Sequence, residues 1–242
     1  MPNAFVRKLS LFGPLSIADR EILESLCRQP IYVDADEDLV REGDVPTSVH
    51  VILDGYACRY KILADGARSI VAYLLPGDIC DLNVFILKQM DHSIATLSRS
   101  QIVRIPPAKI IEITEKHPLI TRALWWIGLV DDSVLREWIV NVTRRSAEQS
   151  IAHLFCELLF RLESVGLRVK DGFEFPLTQT ELADTVGLTT VHVNRVLQEL
   201  RARNLILLKS KSLQILNLNG LKELAGFRPN YLHLGGGNNA PP

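Results

Sequence analysis

The chain has 242 residues, 47% of them hydrophobic, and a net charge of −1 at neutral pH. That length exceeds the usual single domain of about 100–200 residues, so two domains are expected, each with its own core and no need of disulfides. Cys27, Cys58, Cys80 and Cys156 stand far apart without CxxC or Cys/His ligand spacing, and neither a signal-like start nor a run of about 18 apolar residues occurs. A zinc or disulfide framework, secretion and membrane spanning are therefore not expected, and a cytoplasmic protein is.

The near-neutral average hides an asymmetry. From Thr143 onward there are 12 Lys and Arg against 9 Asp and Glu, and the first 142 residues carry 15 against 19, so the C-terminal part is +3 and the rest −4. A mild basic bias of this kind suits a C-terminal region that meets phosphate.

In chain order, Ile17, Ile22, Leu23 and Leu26 recur at helical spacing, which predicts a short helix over 16–27 packed against the barrel. Between Pro30 and Pro107 apolar residues alternate at period 2, as in Val49, Val51, Leu53 and in Tyr56, Cys58, Tyr60, Ile62. Gly43-Asp44, Asp54-Gly55, Asp65-Gly66 and Pro76-Gly77 punctuate them as turns, so many short strands in a sandwich or barrel are predicted. Here the chain resembles the sensor domain of the Crp/Fnr regulators, a cyclic-nucleotide-binding jelly roll. The residues that carry the resemblance are Arg41-Glu42-Gly43-Asp44, Val51-Ile52-Leu53-Asp54-Gly55 and Pro76-Gly77-Asp78-Ile79. Those glycines specify a barrel rather than a ligand.

From about Pro118 the period becomes helical. Leu124, Ile127, Val130, Val134, Leu135, Trp138, Ile139 and Val142 form an apolar stripe. Such a stripe either pairs with the same helix of a second copy or covers the chain's own barrel. The resemblance implies the former, with Leu124, Ile127, Val130, Val134 and Trp138 at the dimer seam. Ser146 and Gln149 then form a capping box opening the next helix, whose Ile151, Leu154, Phe155, Leu158, Leu159 and Leu162 share a core face, with Gly166 as its stop. The expected division is 1–117 for the sensor, 118–145 for the connecting helix and hinge, 146–226 for the second domain, and 227–242 for a largely disordered tail.

The strongest signal spans Thr178–Asn204. Thr178-Gln179-Thr180-Glu181 reads as a capping box, Gly187 permits a sharp turn, and Thr189 can cap a second helix that buries Val193, Val196, Leu197 and Leu200. Thr190, Val191, Asn194, Arg195 and Gln198 are left facing out, with His192 at the margin. These are side chains that can read a major groove: Arg on guanine, Asn or Gln on adenine, an apolar group on a thymine methyl. An ordinary helical hairpin with a solvated face has much the same pattern. The next segment favours groove reading, because Leu205–Leu208 and Leu213–Leu216 are strand-like and flank a turn with Lys209 and Lys211, a wing whose lysines would meet phosphate.

This half also resembles the Crp/Fnr family, through Gly187-Leu188-Thr189-Thr190-Val191-His192-Val193-Asn194-Arg195-Val196-Leu197, and the likeness extends from about Leu11 to Leu224. It implies an α+β protein, with a jelly-roll sensor, a long dimerisation helix and a winged helix-turn-helix. It also implies a homodimer on double-stranded DNA, with RNA polymerase as a partner, and guanine contact by Arg195 with base readout at Asn194. Val191 stands where well-known members carry a base-reading Glu, and it cannot accept a hydrogen bond from cytosine.

Members that bind cyclic AMP use a Gly-Glu-Leu element and an Arg-Ser or Arg-Thr pair. The matching positions are Cys80-Asp81-Leu82 and His92-Ser93, so Asp81, Leu82, His92 and Ser93 are the candidate ligand residues. His92 lacks the fixed charge and planar fork of Arg, which disfavours ordinary cyclic AMP. No cofactor is expected and the effector is left open. Cys27 alone near the N-terminus does not suit an iron-sulfur cluster. No phosphate loop, GxSxG or HExxH is present, so an enzyme is not expected. The other reading is a cyclic-nucleotide-binding module acting on a protein partner, which would need neither the polar face of 190–198 nor the wing.

Overall fold

A computed structural model describes residues 2–82, 86, 89–167 and 172–234. Two short helices, α1 (Ala4–Leu9) and α2 (Ile17–Leu26), precede eight strands: β1 (Ile31–Val33), β2 (Asp38–Val40), β3 (Val49–Asp54), β4 (Ala57–Ile62), β5 (Arg68–Leu74), β6 (Ile79–Cys80), β7 (Ser93–Thr96) and β8 (Ser100–Ile105). They form two antiparallel four-stranded sheets in the orders β1-β8-β3-β6 and β2-β7-β4-β5, the arrangement that the alternating apolar pattern predicts. Two glycines are fixed by close approach. A Cβ at Gly55 (φ +85°) would lie 2.4 Å from Ser100 Oγ, and one at Gly77 (φ +95°) 2.7 Å from the Ala4 carbonyl oxygen.

The helix predicted over 16–27 forms with Ser16 as N-cap in a capping box with Asp19, but Ile17 is 77% exposed and only Leu23 is fully buried. It reaches the barrel core through Leu23, with Ile22 and Leu26 packed against that core, and α1 joins it there through Phe5, Val6 and Leu9. Six residues are too few for periodicity to announce it. A helix not anticipated, α3 (Pro107–Lys116), comes after the barrel with Pro107 in its first turn, and the long α4 (Pro118–Arg144) succeeds it.

The second domain comprises α5 (Ala147–Ser164), β9 (Gly172–Glu174), α6 (Gln179–Val186), α7 (Thr190–Ala202), β10 (Ile206–Lys209), β11 (Ser212–Ile215) and α8 (Leu218–Ala225), and ends in a 3-10 turn (Pro229–Leu232). Separate cores were expected, but one cluster crosses the boundary. Tyr56, Ile70, Tyr73 and Leu75 of the barrel share it with Val130, Val134 and Trp138 of α4 and with the α5 and α7 interior. Tyr73 and Trp138 meet edge to face at 5.6 Å.

Two expectations are corrected. The five residues assigned to a dimer seam, Leu124, Ile127, Val130, Val134 and Trp138, are buried within the chain, the first two against the barrel and the rest in the shared core. Trp125, Leu129, Leu135, Ile139 and Val142 of the same helix are exposed instead, the first three at the wall of a cleft between α4 and the barrel. The segment 227–234, expected to begin a disordered tail, is packed down, with Phe227, Tyr231 and Leu232 buried. The remainder of that tail, 235–242, lies outside the described residues.

Candidate nucleic-acid interface

The helix-turn-helix is built by local hydrogen bonds. Thr178 Oγ1 accepts the Glu181 N–H at 3.2 Å while the Glu181 carboxylate accepts the Thr178 N–H, closing the capping box of α6. Gly187 ends α6 in the left-handed region (φ +67°), and Thr189 Oγ1 accepts the His192 N–H at 3.2 Å to start α7. An N-cap of this kind stabilises a helix by about 1 kcal/mol. Val193, Val196, Leu197 and Leu200 then bury one face of α7, which turns the other out.

On that outer face Thr190, Val191, Arg195 and Gln198 are exposed, while His192 and Asn194 are half-buried. Val191, at 79% exposed, is the most accessible large apolar side chain in the protein's described residues. Asn194 Nδ2 donates to Gln179 Oε1 at 3.1 Å, and Gln198 Nε2 donates to Asn194 Oδ1 at 2.9 Å, a chain of amides running across the surface. Arg195 Nε lies 3.9 Å from Glu199 Oε1, too far for that carboxylate to hold a guanidinium fork. Thr178 and Thr189 spend their hydroxyls on the caps. Gln179 was not anticipated, and its signal was its place at the first helical position of the motif.

The wing is a two-residue hairpin. Ser210 (φ +50°) and Lys211 (φ +60°) are both left-handed, as a turn that matches the strand twist requires. Lys209 and Lys211 are exposed, and Arg201 Nη2 donates to the Leu208 carbonyl at 3.0 Å, tying the wing to the end of α7. A third strand, β9, pairs with β11 and makes the expected two-stranded wing part of a three-stranded sheet.

In the sensor half, a cleft of about 710 Å³ lies between the barrel and α4. Asp81, Leu82 and His92 line it, while Ser93 is buried and uses its hydroxyl to accept the Glu42 N–H at 2.9 Å. Five of the titratable side chains that line it, Arg59, Asp81, Asp91, His92 and Asp131, are paired with one another. Asp81 Oδ1 lies 3.2 Å from His92 Nε2 and 3.6 Å from Arg59 Nε, Arg59 Nη1 lies 3.3 Å from Asp131 Oδ2, and His92 Nδ1 lies 2.8 Å from Asp91 Oδ1. Burial works against the charge on His92, but Asp81 and Asp91 outweigh it and hold its pKa above the ordinary value. Burial likewise opposes the Asp81 carboxylate, and His92 and Arg59 prevail to keep it below the usual range. All four thiols are buried, and burial pushes Cys27 up to about 11, Cys58 and Cys156 up to about 12, and Cys80 well up too, so none offers a thiolate near neutral pH.

Comparison with known proteins bears on both halves. The family model of the cyclic nucleotide-binding domain matches residues 30–117, and that of the Crp-like helix-turn-helix domain matches residues 149–224. The nitrogen fixation regulation protein FixK of Bradyrhizobium diazoefficiens is 26% identical over 91% of this chain and 91% of its own length. The transcriptional activatory protein AadR of Rhodopseudomonas palustris is 27% identical over 91% of this chain and 90% of its own. Among solved structures, FixK2 from Bradyrhizobium japonicum shares the fold, with a TM-score of 0.73 at 20% identity over 81% of this chain and 96% of that one.

Proposed function

Because this chain belongs to the Crp/Fnr family of DNA-binding transcription regulators, we propose that it reads a two-fold symmetric operator as a homodimer. The observation that carries the reading is the outer face of α7, where Arg195 is exposed and loosely held beside Asn194, Gln198 and Val191, flanked by the lysines of the wing. Arg195 would take guanine in a bidentate contact, and the Asn194 amide would meet the neighbouring base. Val191 would sit against a thymine methyl. Lys209 and Lys211 would neutralise phosphate and set the register.

The exposed side of α4 supplies the dimer contact. Trp125, Leu129, Leu135, Ile139 and Val142 lie along one side of a 27-residue helix, a seam of the kind that pairs with its own copy. Two such chains place their α7 helices about one helical turn of DNA apart. The natural setting is the cytoplasm, with RNA polymerase as the further partner. No helix among the described residues is long and apolar enough to cross a membrane.

The cleft is unsuited to an ordinary cyclic nucleotide. Its buried guanidinium, Arg59, is already shared between Asp81 and Asp131, so it is not free to neutralise a cyclic phosphate. Arg59 Nε and Asp81 Oδ2 make no hydrogen bond among the described residues, and together they suit a neutral group that offers one acceptor and one donor.

The test is selection of bound sequences from a random duplex pool at two salt concentrations. The expected result is a palindromic consensus with half-sites about one turn apart and binding that weakens steeply with salt. No enrichment with or without cyclic AMP and cyclic GMP, alongside tight nucleotide binding, would favour the signalling module instead.

A further inference from the structure

The helix-turn-helix match ends at residue 224, yet the chain continues in ordered, buried form through Leu232. It packs against the corner where α4 gives way to α5. Only Arg145 and Ser146 separate the two helices. Asn141 Nδ2 bonds His153 Nδ1 at 3.2 Å across that corner, Ser150 Oγ donates to the Asn141 carbonyl at 2.9 Å, and Arg145 Nη1 donates to Asn141 Oδ1 at 2.8 Å. The ring of His153 is covered by Phe227 edge-on at 5.0 Å and by Tyr231 stacked at 5.8 Å.

Tyr231 also reaches deeper. Its hydroxyl donates to Glu157 Oε2 at 2.9 Å, and Trp138 Nε1 of α4 points at the same carboxylate at 3.2 Å. Arg161, one turn along α5, lies 3.2 Å from Glu157 and continues into the barrel, to Asp78 Oδ2 at 2.7 Å and the Tyr73 carbonyl at 2.9 Å. Lys8 of α1 closes the far end on Asp78. One continuous buried chain of charge-assisted bonds thus runs from the C-terminal segment through α5 to the sensor. Glu157 is fully buried, so each donor removed leaves a desolvated carboxylate less well paired.

We infer that Phe227–Leu232 is a positioning strap: it holds the α4–α5 corner and the α5–barrel contact rigid, and in the dimer this fixes the distance between the two recognition helices. The inference rests on the dimeric reading above. Tyr231 and Glu157 touch no DNA in this role. They act through α5, against which α7 also packs. A loosened corner leaves each recognition helix able to read a half-site but lets the pair settle over a range of separations, so simultaneous engagement at one spacing is weakened.

The experiment measures binding of the full chain, of Tyr231→Phe, of Phe227→Ala/Tyr231→Ala and of a chain ending at Gly226. The duplexes carry the selected half-sites at the native spacing or with one or two base pairs added or removed, and a single half-site serves as reference. The full chain should lose about tenfold or more in affinity for each base pair of mis-spacing. The truncated and double-Ala chains should flatten that profile to within about threefold, with Tyr231→Phe intermediate, while single-half-site affinity stays within about twofold. A spacing profile identical to the full chain's in the variants that melt cooperatively overturns the strap. Should the truncated chain fail to fold, Tyr231→Phe and the double-Ala chain decide. A full chain indifferent to spacing would instead sink the dimeric reading itself.

Discussion

The outer face of α7 and the cleft of the sensor are both rich in polar side chains, but they use them differently. On α7 the cation faces solvent, with a neighbouring carboxylate 3.9 Å away and a ladder of neutral amides beside it. In the cleft Arg59 and His92 are each set between two carboxylates, Asp81 and Asp131 for one, Asp81 and Asp91 for the other. A surface that binds a polyanion keeps its cations available, because every internal ion pair must be broken before a phosphate or a base can be met. A cavity whose cations are already neutralised has little to offer a phosphate. The first region leaves its cation available to an external ligand, and the second has already paired its cations with its own carboxylates.

That contrast is open to measurement. The largest effect is expected for Arg195→Ala, which would remove the proposed guanine contact, worth about 1–3 kcal/mol in each half-site. Affinity for the selected operator should collapse toward the non-specific level in a titration, with thermal stability unchanged. Next come the two sides of α4. Val134→Ala opens a hole in the shared core and should cost roughly 2 kcal/mol in denaturant unfolding. Ile139→Glu should leave unfolding nearly unaltered and shift the protein to monomer in analytical ultracentrifugation, and the reverse pattern would put the partner surface on the wrong side of the helix.

A smaller and uniform change is expected at the wing. Lys209→Ala with Lys211→Ala should weaken binding to all sequences alike and lower the slope of log K against log salt by about one for each phosphate no longer neutralised. The smallest effect concerns the cleft and is read in pH. The His92 pKa is raised in the folded chain, so its contribution to stability is complete below the unfolded value of about 6.5 and is lost as pH rises through the folded value. The Asp81 pKa is lowered, so its contribution is present above about 3.9 and is lost as pH falls through the folded value. His50 and His153, held neutral by burial at about 4 and about 3, act in the opposite sense, so the effect is read as a difference: the melting-temperature gap between the protein and His92→Gln should shrink as pH rises above about 6.5.

Much of this was legible in the residues because it is local. The capping boxes at Ser146–Gln149 and Thr178–Glu181, the left-handed Gly187 and the Thr189 cap depend on partners at most four residues away, and spacing alone announces them. The outward set on α7 was legible for the same reason, since burying Val193, Val196, Leu197 and Leu200 leaves one other side. On α4 the same logic fails. Apolar residues occupy two faces of that helix, and periodicity says that a stripe exists without saying which stripe the chain keeps for itself.

The alternation of short strands, the helix starts and stops and the recognition motif are written in the residue order, because each arises from backbone geometry and solvent preference within one element. Other features exist only once the chain has closed: Leu124 to Trp138 face inward and Trp125 to Val142 outward, Arg59 meets Asp131 across 72 residues, and Tyr231 reaches back 74 residues to Glu157. Those partners are chosen by which surfaces close over one another when the barrel, α4 and the second domain share a core. A charge or an aromatic ring in the sequence carries no mark of the distant group that will satisfy it.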